Sequence, residues 1–361
     1  GDVVARLGGD EFAILLRAVE TPAAGVAVAA AARPAIAKHF DVAGVRVELG
    51  ASVGIAAYPE HGKDVDVLMQ RADVAMYQAK EGRTGIERYV PELDGNSVQR
   101  LALAGDLRTA LERDEFVLHY QPKVDLRTGA VMGSEVLLRW AHPVHGWLGP
   151  DEFIPLAEHT GLIVPLTNYV LDHALRQVGA WRADGLDVGV ALNLSARTLV
   201  ERELPEQIEG RCARWNVPTN RLVLEITESM VVADPARALP VLARLHELGV
   251  EISVDDFGTG YSSMAYLKRL PVREIKIDRS FVMPMATDAR DAAIVRCTID
   301  LARSLGLRVV AEGVETPEIR TQLTAMGCDQ GQGFSFSRAL PAAQFTAWLT
   351  DRARRPLALS A

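Results

Sequence analysis

Beyond residue 110 the chain repeats one pattern, a short run of apolar and β-branched residues followed by a longer helix-compatible stretch. The strand-like runs fall at 117–124, 131–140, 188–194, 222–226, 250–254, 274–277, 308–311 and 332–336. Eight such runs over roughly 250 residues predict an α/β architecture closed into a (β/α)8 TIM-like barrel. In barrels of this kind the chemistry sits where strands run into the loops that follow them. Glu135, Asn193, Glu225, Asp255, Lys276, Glu312 and Gln332 all lie at or near the ends of separate runs. Seven strands are therefore expected to aim polar groups at one mouth.

An ionised carboxylate set between aliphatic residues is costly to bury unless it is paired or bound to a cation. Leu-Glu-Ile-Thr-Glu at 224–228, Ser-Val-Asp-Asp-Phe-Gly at 253–258, Ile-Lys-Ile-Asp at 275–278 and Ala-Glu-Gly-Val-Glu at 311–315 repeat that situation four times. Hard oxygen donors of this sort suit Mg²⁺ or Mn²⁺, whereas zinc favours histidine and cysteine. The pattern predicts metal-dependent chemistry on a phosphate. The net charge of −8, with no long basic run, argues against a nucleic-acid duplex as partner. A chain that is 48% hydrophobic yet has no run long enough to cross a bilayer is expected to lack both a membrane segment and a signal peptide. Cys212, Cys297 and Cys328 are odd in number and far apart, as for reduced thiols of a cytoplasmic protein.

Residues 1–90 read as a smaller α+β piece. Two apolar runs flank Gly8, Gly9 and Asp10, a hairpin signal because glycine admits positive φ. An alanine-rich helix to about residue 40, a strand pair within 45–58 and a helix over 64–80 follow, then a linker and helix at 91–105 and the barrel over 106–355. The chain begins without methionine and inside a strand-like run, so it reads as a fragment. His142 and His145 have a ligand-like spacing, but among Pro143, Gly146 and Pro150 they read as structural loop histidines.

Residues 98–349 resemble the EAL family of bacterial cyclic di-GMP phosphodiesterases. The resemblance rests on Tyr-Gln-Pro at 120–122, Glu-Val-Leu-Leu-Arg-Trp at 135–140, Phe-Ile-Pro-Leu-Ala-Glu at 153–158, Asn-Leu-Ser at 193–195, Glu-Ile-Thr-Glu at 225–228, Asp-Asp-Phe-Gly-Thr-Gly-Tyr-Ser-Ser at 255–263, Lys-Ile-Asp at 276–278, Ala-Glu-Gly-Val-Glu-Thr at 311–316 and Gln-Gly-Phe at 332–334. The first 90 residues resemble the C-terminal part of a GGDEF (diguanylate cyclase-like) domain. Its signature is Gly8, Gly9, Asp10, Glu11 and Phe12, with Asp2 where the family has an inhibitory-site aspartate and residues 72–80 similar to its last helix.

The resemblance implies two Mg²⁺ or Mn²⁺ ions per site, held by Glu135, Asn193, Glu225 and Asp255 with Asp256 helping to hold the second. It implies that Lys276 and Glu312 orient and deprotonate the attacking water, that Arg139, Gln121 and Gln332 contact substrate, and that Glu228 braces the loop at 256–263 and couples it to a homodimer through the EAL domain. The expected reaction is hydrolysis of cyclic di-GMP to linear pGpG. The runner-up is a catalytically silent domain that binds cyclic di-GMP or a protein partner. A two-carboxylate glycosidase barrel explains acids at strand ends but not Asn193, Lys276 or the Asp255–Asp256 pair. Three positions depart from the pattern: Val136 replaces the alanine of the name motif, Ala339 stands where proline follows Arg338, and 80–83 is one residue short. Residues Gly8 to Phe12 carry a signature without the family's N-terminal half, so no cyclase site is expected.

Overall fold

The structure, a computed structural model, describes residues 2–8, 11–17, 19, 22–36, 39–42, 45–48, 50–81, 84–90, 95–259 and 270–354. It divides into two compact units, Gly1–Leu103 and Ala104–Ala361.

In the first unit β1 (Val3–Gly8) and β2 (Glu11–Leu15) pair antiparallel, as the glycines predict, although Gly9 and Asp10 lie outside the described residues. The alanine-rich helix stops at Ile36, and the chain re-enters as β3 (His39–Val42), which pairs with β4 (Val45–Glu48). The expected strand pair within 45–58 does not form. Instead β5 (Val53–Ile55) lies parallel to β6 (Ile86–Arg88), with the helix Val65–Glu81 between them in sequence, because a parallel pair needs a crossover. Gly54 allows that helix to seat on β5: a Cβ there would stand 1.9 Å from the Ala72 carbonyl oxygen and 2.1 Å from the Met76 nitrogen.

The second unit is a closed barrel. Its strands are β7 (Phe116–Asp125), β8 (Val131–His142), β10 (Gly189–Asn193), β11 (Leu222–Thr227), β12 (Glu251–Phe257), β13 (Glu274–Ile277), β14 (Arg308–Ala311) and β15 (Gln330–Gly331), paired in that order and closed by β15 on β7. Two short strands lie outside the ring, β9 (Gly146–Leu148) on β8 and β16 (Leu340–Pro341) on β7. The eighth strand is shorter and earlier than expected, because the chain bends at Gly333 and turns over 334–336. The ring is also not wholly parallel: β7 runs antiparallel to both neighbours. Only residues 126–130 separate β7 from β8, too few for a crossover. Asp125 closes that turn, its Oδ1 accepting from the backbone N–H of Arg127 and Thr128 at 3.0 and 2.6 Å.

Strand alternation sorts the side chains. Leu224, Ile226, Ile252, Val254, Ile275 and Ile277 are buried against the surrounding helices, each contributing about 1.5–3 kcal/mol relative to exposure. The helix Pro235–Glu247 shows the complementary stripe, burying Ala238, Val241, Leu242 and Leu245 at helical spacing and capped by Asp234 on the Arg237 N–H. The alternate strand positions, Glu225, Ser253, Glu274 and Lys276, are buried as well, inside the ring. Val136 is buried on the opposite face of β8 from Glu135. Cys212 and Cys328 are buried and Cys297 exposed, all free thiols.

Candidate active site

Lys276 is the centre of the mouth. Its Nζ, on a fully buried side chain, lies 2.6 Å from Glu312 Oε1, 3.0 Å from Glu225 Oε2, 3.1 Å from Asp255 Oδ1 and 3.5 Å from Glu135 Oε2. Burial alone would push this ammonium down, but Glu135, Glu225, Glu312 and Asp255 outweigh it and hold its pKa well above the ordinary value. Glu135 stands in the middle of β8 and not at its end, because β7 and β8 continue past the ring as an antiparallel ribbon. Its Oε1 accepts from Asn193 Nδ2 at 2.8 Å and its Oε2 from Gln332 Nε2 at 2.6 Å. The Gln332 amide also reaches Gln121 Oε1 at 3.0 Å, and Gln121 in turn donates to the Ser337 carbonyl.

Consecutive strand residues point to opposite faces, so both Asp255 and Asp256 reach one site only if the strand is interrupted. It is: the register of β12 on β13 slips between Val254 and Phe257, and Asp256 takes a left-handed φ of 53°. With that bulge, Asp255, Asp256 and Glu312 each bring a carboxylate oxygen within 4.8 Å of the others. Gly313, at φ 67°, turns the chain after Glu312, and a Cβ there would stand 2.7 Å from that of Arg279.

Charge is unevenly distributed over this cluster. Burial lifts the Glu135, Asp255 and Asp256 carboxyls above their ordinary range, with Glu225 adding to the first and Asp278 to the last. Burial, offset only in part by Lys276, pushes Glu312 up to about 8. Glu225 goes the other way: burial would raise it, but Lys123 and Lys276 hold it at about 2. The donor set is oxygen throughout, with carboxylates crowded enough to resist ionisation, and so it fits Mg²⁺ or Mn²⁺.

The remaining expected residues are more peripheral. Arg139 is half-buried on the ribbon and donates to the Leu138 carbonyl at 2.8 Å. Glu228 opens the helix Glu228–Ala233, while most of the loop it was expected to brace lies outside the described residues. His142 ends β8 and is structural, with Nδ1 accepting from the Val144 and His145 N–H groups and Nε2 beside Asp106. Ser195 caps the helix Ala196–Leu199. Two residues escaped the sequence reading, Lys123 and Glu274, and Asp278 enters it only as part of a motif with no role of its own. The first two were signalled by strand alternation, lying two positions from Gln121 and Lys276.

Fold and mouth together define a class, an α/β barrel with an acidic, oxygen-donor site at the strand ends. Residues 104–339 match the EAL domain family and residues 1–85 match the diguanylate cyclase, GGDEF domain family. The chain belongs to the EAL domain family, with part of a GGDEF domain N-terminal to the barrel. It is 45% identical over 348 residues to the bifunctional diguanylate cyclase/cyclic di-GMP phosphodiesterase MucR of Pseudomonas aeruginosa, covering 96% of this chain and 51% of that protein. It is 38% identical to the cyclic di-GMP phosphodiesterase PdeR of Escherichia coli, covering 96% and 52%. The chain thus spans about half the length of the curated relatives it matches. Among solved structures, the c-di-GMP complex of the PaMucR phosphodiesterase matches with a TM-score of 0.65 and 48% identity, over 68% of this chain and 99% of that one. The EAL enzyme Bd1971 in its cAMP- and cyclic-di-GMP-bound form matches with a TM-score of 0.68 and 29% identity, over 80% and 77%.

Proposed function

We propose that the barrel hydrolyses one phosphodiester bond of cyclic di-GMP to give linear pGpG, using two Mg²⁺ or Mn²⁺ ions, and that it works as a homodimer. The observation that carries this reading is the buried ammonium of Lys276 among four carboxylates at the mouth. Glu135, Asn193, Glu225, Asp255 and Asp256 would hold the cations, which when bound offset phosphate charge and make water more acidic. Lys276 orients the attacking water. Glu312, with a proton affinity near neutral pH, is suited to accept its proton. Arg139 offers a planar fork of donors to a phosphate. Gln332 donates to Glu135 and Gln121 while its buried Oε1 has no hydrogen-bond partner among the described residues, which leaves an acceptor for substrate.

Incubating the chain with cyclic di-GMP and Mg²⁺ or Mn²⁺, then separating the products, tests this directly. The expected result is pGpG, with turnover abolished by excess EDTA. Turnover that persists in EDTA would overturn the two-cation reading, and tight binding of cyclic di-GMP without hydrolysis would move the chain to the silent-module alternative.

A further inference from the structure

Beneath the mouth lies a second charged layer that none of those roles uses. Lys123 is two residues beyond Gln121 on β7, hence on the same face. Because β7 runs against its neighbours, those two steps carry it deeper into the barrel. The residue paired across from it is Gly133, and beyond that stands Gly189. These glycines let the strands approach closely, a Cβ at Gly189 standing 2.7 Å from the Arg221 carbonyl oxygen.

Its Nζ lies 2.7 Å from Glu225 Oε1 and 3.2 Å from Glu274 Oε1, and all three side chains are buried. Glu274 is steadied by Arg308, 3.6 Å from its other oxygen, and Arg308 also pairs with Glu251. The result is one continuous chain of opposite charges, Glu251–Arg308–Glu274–Lys123–Glu225–Lys276. Apolar side chains of similar volume often stabilise a core as well as a buried ion pair does, so stability alone does not account for the ammonium. Geometry does, because Glu225 has both oxygens taken, Oε1 by Lys123 from below and Oε2 by Lys276 from above.

We infer that Lys123 is a positioning residue that clamps Oε1 of Glu225 from beneath the mouth and so fixes the direction in which this carboxylate faces a bound cation. The inference rests on the proposed cation-binding role of Glu225. Without the clamp nothing beneath the mouth fixes the direction of Glu225 Oε1, and Glu274, facing it across the vacated space, adds a repulsion.

The test is Mn²⁺ titration by calorimetry or by electron paramagnetic resonance of the free ion. It compares the intact chain with Lys123→Met, which keeps the stem and removes the charge, and with Lys123→Met/Glu274→Gln, which also relieves the repulsion. Both folded variants should bind Mn²⁺ about 10–100-fold more weakly, the usual consequence of removing a group that orients a ligand. Their kcat should fall by a similar factor while KM for cyclic di-GMP changes less than about threefold. Unaltered Mn²⁺ affinity in either folded variant overturns the inference. Failure of both variants to fold would mark Lys123 as a core residue only, and overturns it too. If the unsubstituted chain does not bind Mn²⁺, the proposed function itself fails, an outcome seen before any substitution is compared.

Discussion

The two units both carry an acidic signature, and the strands that carry it are completed very differently. In the barrel, Glu135, Glu225 and Lys276 are buried on alternate strands of the ring, and four carboxylates lie within 3.5 Å of the Lys276 ammonium. In the first unit, β1 and β2 pair only with each other among the described residues, and Phe12 of the signature is 64% exposed. A carboxylate acquires unusual chemistry from desolvation and from neighbours held at fixed distance. The ring supplies both, whereas in the first unit Asp10 and the Glu11 side chain lie outside the described residues. A signature read along one strand therefore acquires chemistry only when other strands complete it.

The contrast is broken most severely by removing the ammonium. Lys276→Ala leaves the acidic cluster uncompensated and is expected to lower turnover by about 10²–10⁴-fold, with a smaller effect on cyclic di-GMP binding. Glu135→Ala should cost at least about a hundredfold. Steady-state kinetics alongside equilibrium binding decides: loss of binding with turnover intact at saturation would contradict the role of Lys276.

A second effect appears in stability. Burial raises Glu312 from its ordinary 4.5 to about 8. Below about pH 4.5 this carboxyl is neutral in the folded and unfolded chain alike. Between there and pH 8 the unfolded chain gives up the proton first, so the barrel loses stability as pH rises. A cation that takes the place of the proton offsets the loss, and the Tm increment from saturating Mn²⁺ should be several degrees larger at pH 8 than at pH 6. An increment that is equal at the two values, or larger at pH 6, contradicts this account.

Smaller still is the effect of Val136. It packs outside the ring, on the other face of β8 from Glu135, so Val136→Ala should change turnover by less than about tenfold while costing about 1.5–3 kcal/mol in thermal unfolding. An inactive natural chain restored by this substitution would favour the silent-module reading. The smallest effect is expected in the first unit, where Glu11→Ala should leave hydrolysis unchanged and GTP should give no cyclic di-GMP, as followed by chromatography. Cyclase activity would show that the signature needs fewer partners than the barrel site does.

The residues that meet at the mouth were legible because strand alternation and burial costs act locally: a Lys between Ile275 and Ile277, or a Glu between Leu224 and Ile226, has to face the interior once those neighbours face the helices. The same period-two rule would have yielded Lys123 from Gln121 and Glu274 from Lys276, and the short connection at 126–130 already forbade a parallel first pair. Other features had no local signal. The bulge that swings Asp256 beside Asp255 depends on how β12 slips against β13. The clamp of Lys123 on Glu225 joins residues 102 positions apart. Which ionised partner a buried charge finds depends on distances across the closed ring, and those exist only once β15 has paired with β7. The sequence by itself determined which side chains point inward; closure of the barrel decided which of them touch, because desolvation and Coulomb attraction are set by three-dimensional separation.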